Sequence, residues 1–534
     1  MTHLNRRDAL KLGGTGAALA LMAPAAASAA PSPLFAHGVA SGDPLPDGVI
    51  LWTRVTPTPE AVPGSGAGPQ IQVSWQIAED AAFATVAASG VFATGPERDH
   101  TVKVDVRGLR PGADYHYRFT YAGTHSPTGR TRTAPASGAS VDALRFGVAS
   151  CSNWEAGFFS AYRHLAARDD LFGVIHLGDY IYEYGTGGYS AGGSVVRETA
   201  PAHEIVTLAD YRIRHASYKT DPDLQAAHAR HPWLIVWDDH EVANDAWADG
   251  AENHSPDTEG AYAARKAASH QAYQEWMPVR FSPEGVLYRS LRFGDLAEIV
   301  LLDLRSYRSL QAGGLAVDDP ARTITGAPQM AWLKDTLAAS TARWRIVGTS
   351  VMISPLVLAS LTAEALGPLA ALLGLPSGGV SLNPDQWDGY TADRAALLSA
   401  LTARGAGDTV FLTGDIHTSW ANEVPLKAGT YPLSPSVATE FVVPSVTSDN
   451  IDDILRARPR TTSLAVEAAI GVTNRHVRWT NMDDHGFGVV EIGRAQTRMD
   501  WYFLSDRKNP AATARKAVSY VTAHGTAKLK RVFG

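Results

Sequence analysis

Phe172-Gly173-Val174-Ile175-His176-Leu177-Gly178-Asp179-Tyr180-Ile181-Tyr182 is the stretch whose reading decides the fold. An apolar run of strand length stops on a Gly-Asp pair, and aromatic residues follow at once. A run with little polar alternation reads as a strand buried on both faces. The same pattern recurs on either side. Leu144 to Ala149 precedes Ser150-Cys151, and Trp233 to Trp237 precedes Asp238-Asp239-His240-Glu241. Ile299 to Leu302 precedes Asp303-Leu304-Arg305, Trp344 to Val351 is a further run, and Val410 to Thr413 precedes Gly414-Asp415-Ile416-His417. Stretches of helical composition separate these runs, which predicts a layered α/β domain. Glu440 to Val443, Gly488 to Ile492 and Met499 to Leu504 extend the same sheet system. Ligands of open α/β sheets bind beyond the carboxyl ends of the strands. One sheet edge is therefore expected to gather the Cys151 thiol, several carboxylates, His240 and His417. Carboxylates brought that close repel one another unless cations neutralise them, so the expected site is a multi-metal one. Taken singly, a strand-end Asp has a plainer reading as a turn residue or helix cap.

Before this domain, residues 31–135 read as a small β-sandwich. Alternating runs at Val49 to Arg54, Ile71 to Ala78, His100 to Val106 and Tyr115 to Tyr121 are divided by Gly, Pro and Asp turns. Leu109-Arg110-Pro111-Gly112-Ala113-Asp114-Tyr115 resembles the turn-plus-tyrosine corner of fibronectin-like sandwiches. An Ala/Ser/Pro/Gly-rich linker from Thr133 to Val141 leads to a catalytic domain expected over 142–510. Residues 511–534 are read as a helical tail. Ser354 to Ser381 is a Leu/Ala/Pro/Gly-rich insertion whose only charge is Glu364, and it reads as a packing element, a lid or a hydrophobic substrate wall.

The chain begins with a twin-arginine pair, Asn5-Arg6-Arg7-Asp8, followed by a small-residue apolar run and an Ala27-Ser28-Ala29 cleavage pattern. Residues 1–30 are therefore expected to be a twin-arginine signal peptide, placing the mature protein in the periplasm or outside the cell. That export route favours a cofactor loaded before translocation. No later stretch of the sequence is long and apolar enough to span a bilayer. The 534 residues carry 47 Lys+Arg against 54 Asp+Glu, a net charge of −7, and no basic run that suggests a nucleic-acid groove. Polymeric phosphate is disfavoured as a partner, and small phosphoesters are not. Cys151 is the only cysteine, so no internal disulfide forms, and an exported lone thiol needs burial or ligation.

The Gly178-Asp179, Asp239-His240-Glu241 and Gly414-Asp415-Ile416-His417 blocks resemble those of calcineurin-like metallophosphoesterases. Cys151 in the first block and Asp415 in the last narrow the likeness. So do His37-Gly38-Val39-Ala40-Ser41-Gly42-Asp43-Pro44, Leu51-Trp52-Thr53-Arg54, Trp237 to Glu241, Leu412 to Trp420 and His485-Gly486-Phe487. Together, from about residue 35 to 505, the chain resembles the PhoD-type alkaline phosphatases. The resemblance implies an αββα-sandwich metallophosphoesterase domain preceded by the fibronectin-like β-sandwich. It also implies Fe(III) and Ca2+ and the hydrolysis of phosphomonoesters and phosphodiesters by metal-activated water or hydroxide. Cys151, Asp179, Tyr182 and His417 would hold the iron, with Asp179 bridging to calcium and Asp239 and Asp415 as further ligands. The plainer reading of Tyr182 is an aromatic packed under the site. Gly348-Thr349-Ser350 stands where the family usually has Gly-Asn-Gln, which leaves the number of calcium ions open; a hydroxyl or a water is the substitute ligand.

His240 is the candidate for protonating the leaving oxygen, or else it orients Asp239. Arg305 is the candidate for binding phosphate oxygens, or else it pairs with Asp303 or another local carboxylate. Two alternative functions remain at this point. One is a phospholipase D-like activity on phospholipids at the same site. The other is a non-catalytic exoprotein that binds phosphate or metal, against which the complete ligand set argues.

Overall fold

A computed structural model describes residues 32–189, 194–356, 383–403 and 407–533. The expected signal peptide lies outside them, as does the Leu/Ala-rich stretch from residue 357 onward. Among the described residues no helix is long and apolar enough to cross a membrane.

The six apolar runs all form strands, but in two stacked sheets rather than one. The first sheet has ten strands, in the order Leu529–Val532, Ala514–Ala523, Gln496–Leu504, Gly486–Gly493, Ala143–Ala149, Gly173–Leu177, Pro232–Val236, Val39–Leu45, Gly48–Arg54, Thr101–Arg107. The second has seven, in the order Arg289–Phe293, Ala297–Leu301, Trp344–Thr349, Thr409–Thr413, Ser436–Val442, Ser419–Pro425, Val477–Asn481. Parallel pairing joins Ala143–Ala149, Gly173–Leu177 and Pro232–Val236 in the first. In the second it joins Ala297–Leu301, Trp344–Thr349, Thr409–Thr413 and Ser436–Val442.

The period of two in each strand explains why both faces are apolar. Ile175, Leu177, Leu234 and Val236 meet Ile299, Leu301, Ile346, Val410 and Leu412 between the sheets. Their neighbours Val174, Trp233 and Ile235 turn outward onto Tyr162, Leu165, Tyr211 and Tyr273 of the covering helices. Across the other sheet Val300, Val347 and Phe411 pack on Leu333, Leu337, Leu397 and Leu398. The result is an αββα sandwich, and the carboxyl ends of both parallel sets lie at the same end of it.

The N-terminal sandwich forms, yet it is not separate. Its smaller sheet holds Val86–Thr94, Ile71–Ala78, Asp114–Tyr121, Thr124–His125 and Gly129–Arg132. Its other sheet is the far end of the ten-stranded sheet, where Val39–Leu45 runs parallel to Pro232–Val236 through the pairs Ser41↔Pro232 and Gly42↔Trp233. An unpaired Pro232–Val236 would be a buried apolar edge, and this pairing removes it. The tyrosine corner is present: the Tyr115 hydroxyl accepts from the Arg110 backbone N–H at 2.9 Å.

One expectation is overturned. The supposed helical tail over 511–534 is two strands, Ala514–Ala523 and Leu529–Val532, the first paired antiparallel with Gln496–Leu504. Val518, Tyr520 and Leu529 reach the inter-sheet core beside Trp501. Burial against a waiting strand outweighs the helical bias of the surrounding Ala, Lys and Arg.

Candidate metal centre

Four of the six candidate ligands share one backbone device. Cys151 has φ 61°, Asp179 54°, Asp415 61° and His417 56°, all in the left-handed region that non-glycine residues seldom enter. Such a bend at a strand end turns the side chain back over the sheet edge. Two glycines make room for it. A Cβ on Gly178, itself at φ +100°, would lie 2.6 Å from Asp238 Cβ, and one on Gly414 would lie 2.2 Å from Ser150 Oγ. The Gly-Asp pairs are therefore packing requirements as much as chemical ones. Glu241 braces the floor, accepting backbone N–H groups from Asp238 at 2.7 Å, Tyr180 at 2.5 Å and Asp179 at 3.2 Å.

Three overlapping sets of donor atoms each lie within 4.8 Å of one another: Cys151, Asp179 and His417; Asp179, Asp239 and His240; and Asp179, Asp238, Asp239 and Asp415. Asp179 belongs to every set. The first sheet supplies Cys151, Asp179, Asp238, Asp239 and His240, whereas Asp415 and His417 come from the second, so the site exists only where the two sheets meet. Tyr182 joins the first set, its hydroxyl 3.1 Å from Asp179 Oδ2 and 3.3 Å from His417 Nε2.

The protein groups alone leave this cluster electrostatically unsatisfied. Burial, and then the neighbouring carboxylates Asp239 and Asp238, push Asp179 well above the usual carboxylate range, against the opposing pull of His240. Burial and Asp238 do the same to Asp415. Burial and Asp179 raise the Cys151 thiol. Asp179 Oδ1 is buried without a hydrogen-bond partner. Cations at these positions would relieve both the repulsion and the orphaned oxygen, so the residues present fit metal ions.

His417 is prepared as a ligand: Nδ1–H donates to the Asp449 carbonyl at 2.7 Å, leaving the Nε2 lone pair toward the site. Burial holds its pKa at about 4, so it is neutral. His240 is the opposite case. Burial opposes its charge, but Glu183, Asp239 and Asp179 outweigh that and raise its pKa well above the ordinary value. Its Nδ1 is 2.7 Å from Glu183 Oε2, which leaves Nε2–H for the site.

Arg305 is buried at the centre, but its guanidinium is committed. It bonds Asp238 through Nε at 2.5 Å and Nη2 at 3.2 Å, and Asp385 through Nη1 at 2.8 Å and Nη2 at 2.9 Å. Of the carboxylate pairings expected for Arg305, the structure shows those with Asp238 and Asp385, and Asp303 is not a side-chain partner. Asp303 Oδ1 instead accepts the backbone N–H of Arg305 at 3.1 Å. Thr349 is likewise occupied, donating to the Val351 carbonyl at 2.9 Å. The side-chain amide of Gln386 donates to Asp415.

Sequence reasoning missed Asp385 and Gln386, which sit on no strand end and carry no local signal. Glu183, one residue beyond the Phe172 to Tyr182 stretch, was likewise given no role. Sequence reasoning also missed the Ser445–Asn450 loop, although that loop follows a strand and could have been sought by the same rule.

A family model described as PhoD-like phosphatase matches residues 146–501, and one described as PhoD-like phosphatase, N-terminal domain, matches residues 21–135. The chain is 35% identical over 519 residues to alkaline phosphatase D of Bacillus subtilis (strain 168), spanning 93% of this chain and 82% of that protein. A solved structure of PhoD superposes with a TM-score of 0.84 at 34% identity, covering 94% of this chain and 92% of that one. Purple acid phosphatase PPD1 from seeds of yellow lupin (Lupinus luteus) shares the fold alone, with a TM-score of 0.51 at 12% identity over 92% of this chain and 74% of that one.

Proposed function

The chain belongs to the PhoD-like phosphatases and is a phosphoesterase; on that premise we propose that it is an exported, metal-dependent hydrolase of phosphomonoesters and phosphodiesters holding Fe(III) and Ca2+. The observation that carries the reading is the place of Asp179 in every donor set. On one side of it stand a thiol, a phenol and an imidazole from Cys151, Tyr182 and His417, donors that suit a transition ion. On the other stand the carboxylates of Asp239 and Asp415, with Asp238 beside them, donors that suit calcium. Asp179, common to both groups, would be shared between the ions. When bound, such cations supply Lewis-acid polarisation of the phosphoryl group and activation of water.

The chain's own residues do the rest. His240, held through Nδ1 by Glu183, delivers its Nε2 proton to the departing oxygen. Arg305 is a positioning residue that keeps Asp238 and Asp385 in place, and Gln386 orients Asp415. Export through the twin-arginine machinery rests on Arg6-Arg7 and the apolar run behind them.

The deciding experiment is metal analysis of natively exported protein, with its visible spectrum. Iron and calcium are expected, together with a charge-transfer band that Cys151→Ala or Tyr182→Phe shifts or abolishes. Chelation should remove activity that calcium restores and magnesium does not, because magnesium demands tighter octahedral geometry. A colourless, iron-free and fully active preparation would exclude iron, and complete rescue by magnesium would exclude calcium.

One observation favours phospholipid as a second substrate. Ile454 and Leu455 are exposed on helix Ile451–Leu455, a few residues after the Asp449 whose carbonyl holds His417, and Leu464 and Val472 are exposed on the next helix, Thr462–Thr473. Micellar phosphatidylcholine assayed beside p-nitrophenyl phosphate separates the two activities.

A further inference from the structure

The loop Ser445–Asn450 follows strand Ser436–Val442 and is anchored from several sides. Val446 N–H donates to the Ser150 carbonyl at 3.0 Å, and Thr447 Oγ1 donates to the Asn153 carbonyl at 2.7 Å. Arg507 holds the Thr447 carbonyl and bonds Asp449 Oδ1 at 2.5 Å. His485, from the His-Gly-Phe motif, lies 2.9 Å from Ser445 Oγ through Nδ1. So fixed, the loop places the fully buried Ser448 against two candidate ligands. Its Oγ is 2.6 Å from the Tyr182 hydroxyl and 3.0 Å from the Cys151 carbonyl.

The neighbours of the Tyr182 oxygen differ in what they can give. Asp179 Oδ2, at 3.1 Å, is a carboxylate oxygen and can only accept. His417 Nε2, at 3.3 Å, is the lone-pair nitrogen, because Nδ1–H is spent on the Asp449 carbonyl. Ser448 alone among these contacts carries a proton to donate. A phenol could donate to Asp179 and leave Ser448 free to serve the Cys151 carbonyl. A phenolate bound to a cation has no proton, and a hydrogen bond to a charged acceptor is roughly twice as strong as one between neutral groups. Ser448 then turns to the tyrosine oxygen.

We propose that Ser448 is a positioning residue that donates a hydrogen bond to the Tyr182 phenolate in the metal-loaded protein and thereby sets how strongly that oxygen donates to the cation. The inference rests on the reading of Tyr182 as an anionic ligand. A hydrogen bond withdraws density from the phenolate, as second-shell donors do at other metal sites. Losing it makes the oxygen the better donor and lowers the energy of the charge-transfer transition.

The test compares metal-loaded wild type, Ser448→Ala, Ser448→Thr and Tyr182→Phe at measured metal content. Tyr182→Phe should lose the phenolate part of the visible band, leaving only what the Cys151 thiolate supplies. Ser448→Ala should keep its metal and show the band at longer wavelength, and Ser448→Thr should return it toward the wild-type position. In resonance Raman spectra the phenolate vibrations of the wild type should shift on exchange into D2O, which needs no variant to fold. A Tyr182-dependent band that Ser448→Ala leaves unmoved overturns the proposal, as does a wild-type spectrum insensitive to D2O. A band that survives Tyr182→Phe unchanged removes the phenolate reading itself, and the role of Ser448 falls with it.

Discussion

His240 and Glu183 form a buried pair at 2.7 Å whose two members fail in different ways when altered. If His240 gives its proton to the departing oxygen, His240→Ala should slow an alkyl phosphate by roughly 10²–10⁴-fold, the usual range for lost general acid catalysis. An aryl ester such as p-nitrophenyl phosphate leaves as a stable anion, so its loss should be much smaller. Equal losses at full metal occupancy would defeat the general-acid role and leave electrostatic stabilisation as its replacement. Glu183→Gln tests the same proton from the other side. Glu183 is the largest of the influences that raise the His240 pKa against burial. Removing its charge lowers that pKa, so the alkaline limb of kcat/KM for the alkyl phosphate should move to lower pH. An unmoved limb would mean that the limb reports another group.

At the scale of elements, the junction between helix Leu208–Tyr218 and strand Gly48–Arg54 holds an unusual cation. Lys219, which caps that helix, is fully enclosed, with Nζ 4.6 Å from the Trp52 ring centroid and 3.1 Å from the Tyr180 hydroxyl. Burial lowers its pKa from 10.5 to about 7. Between those values the unfolded chain binds a proton that the folded one does not, so stability rises with pH across that window. The contribution is at most about 1.4 kcal/mol per pH unit, since one unit of pKa is worth that much. Below the folded value both states are protonated and the slope vanishes. Lys219→Met should therefore flatten the rise in urea midpoint between pH 7 and pH 10 relative to the wild type. Parallel curves for the two proteins would show that Lys219 is charged in the fold throughout.

For the whole molecule, the continuity of the ten-stranded sheet means that the N-terminal sandwich and the catalytic layers stand or fall together. A chain beginning at residue 142 lacks Val39–Leu45, Gly48–Arg54 and Thr101–Arg107, and so bares the edge of Pro232–Val236. It also strands Arg289, which otherwise pairs with the buried Asp43 at 2.6 Å. Such a fragment should aggregate rather than unfold reversibly, because an open apolar edge templates further pairing. A soluble monomer with a single cooperative transition in urea would contradict this. Local pattern was enough for much of the architecture. Runs such as Phe172 to Leu177 are buried on both faces wherever they pair, so their strand character and the gathering of Cys151, Asp179, Asp239, Asp415 and His417 beyond their ends were legible from residue order alone. What order could not convey is which strands share a sheet, since pairing partners lie hundreds of residues apart and hydrogen-bond through a backbone common to every sequence. Tertiary structure alone decided that two sheets meet over Asp179, that residues 514–532 complete one of them as strands, and that Arg305 closes on Asp385. In each case the deciding energy is the burial of an edge or a charge against a group that has no place in the local sequence.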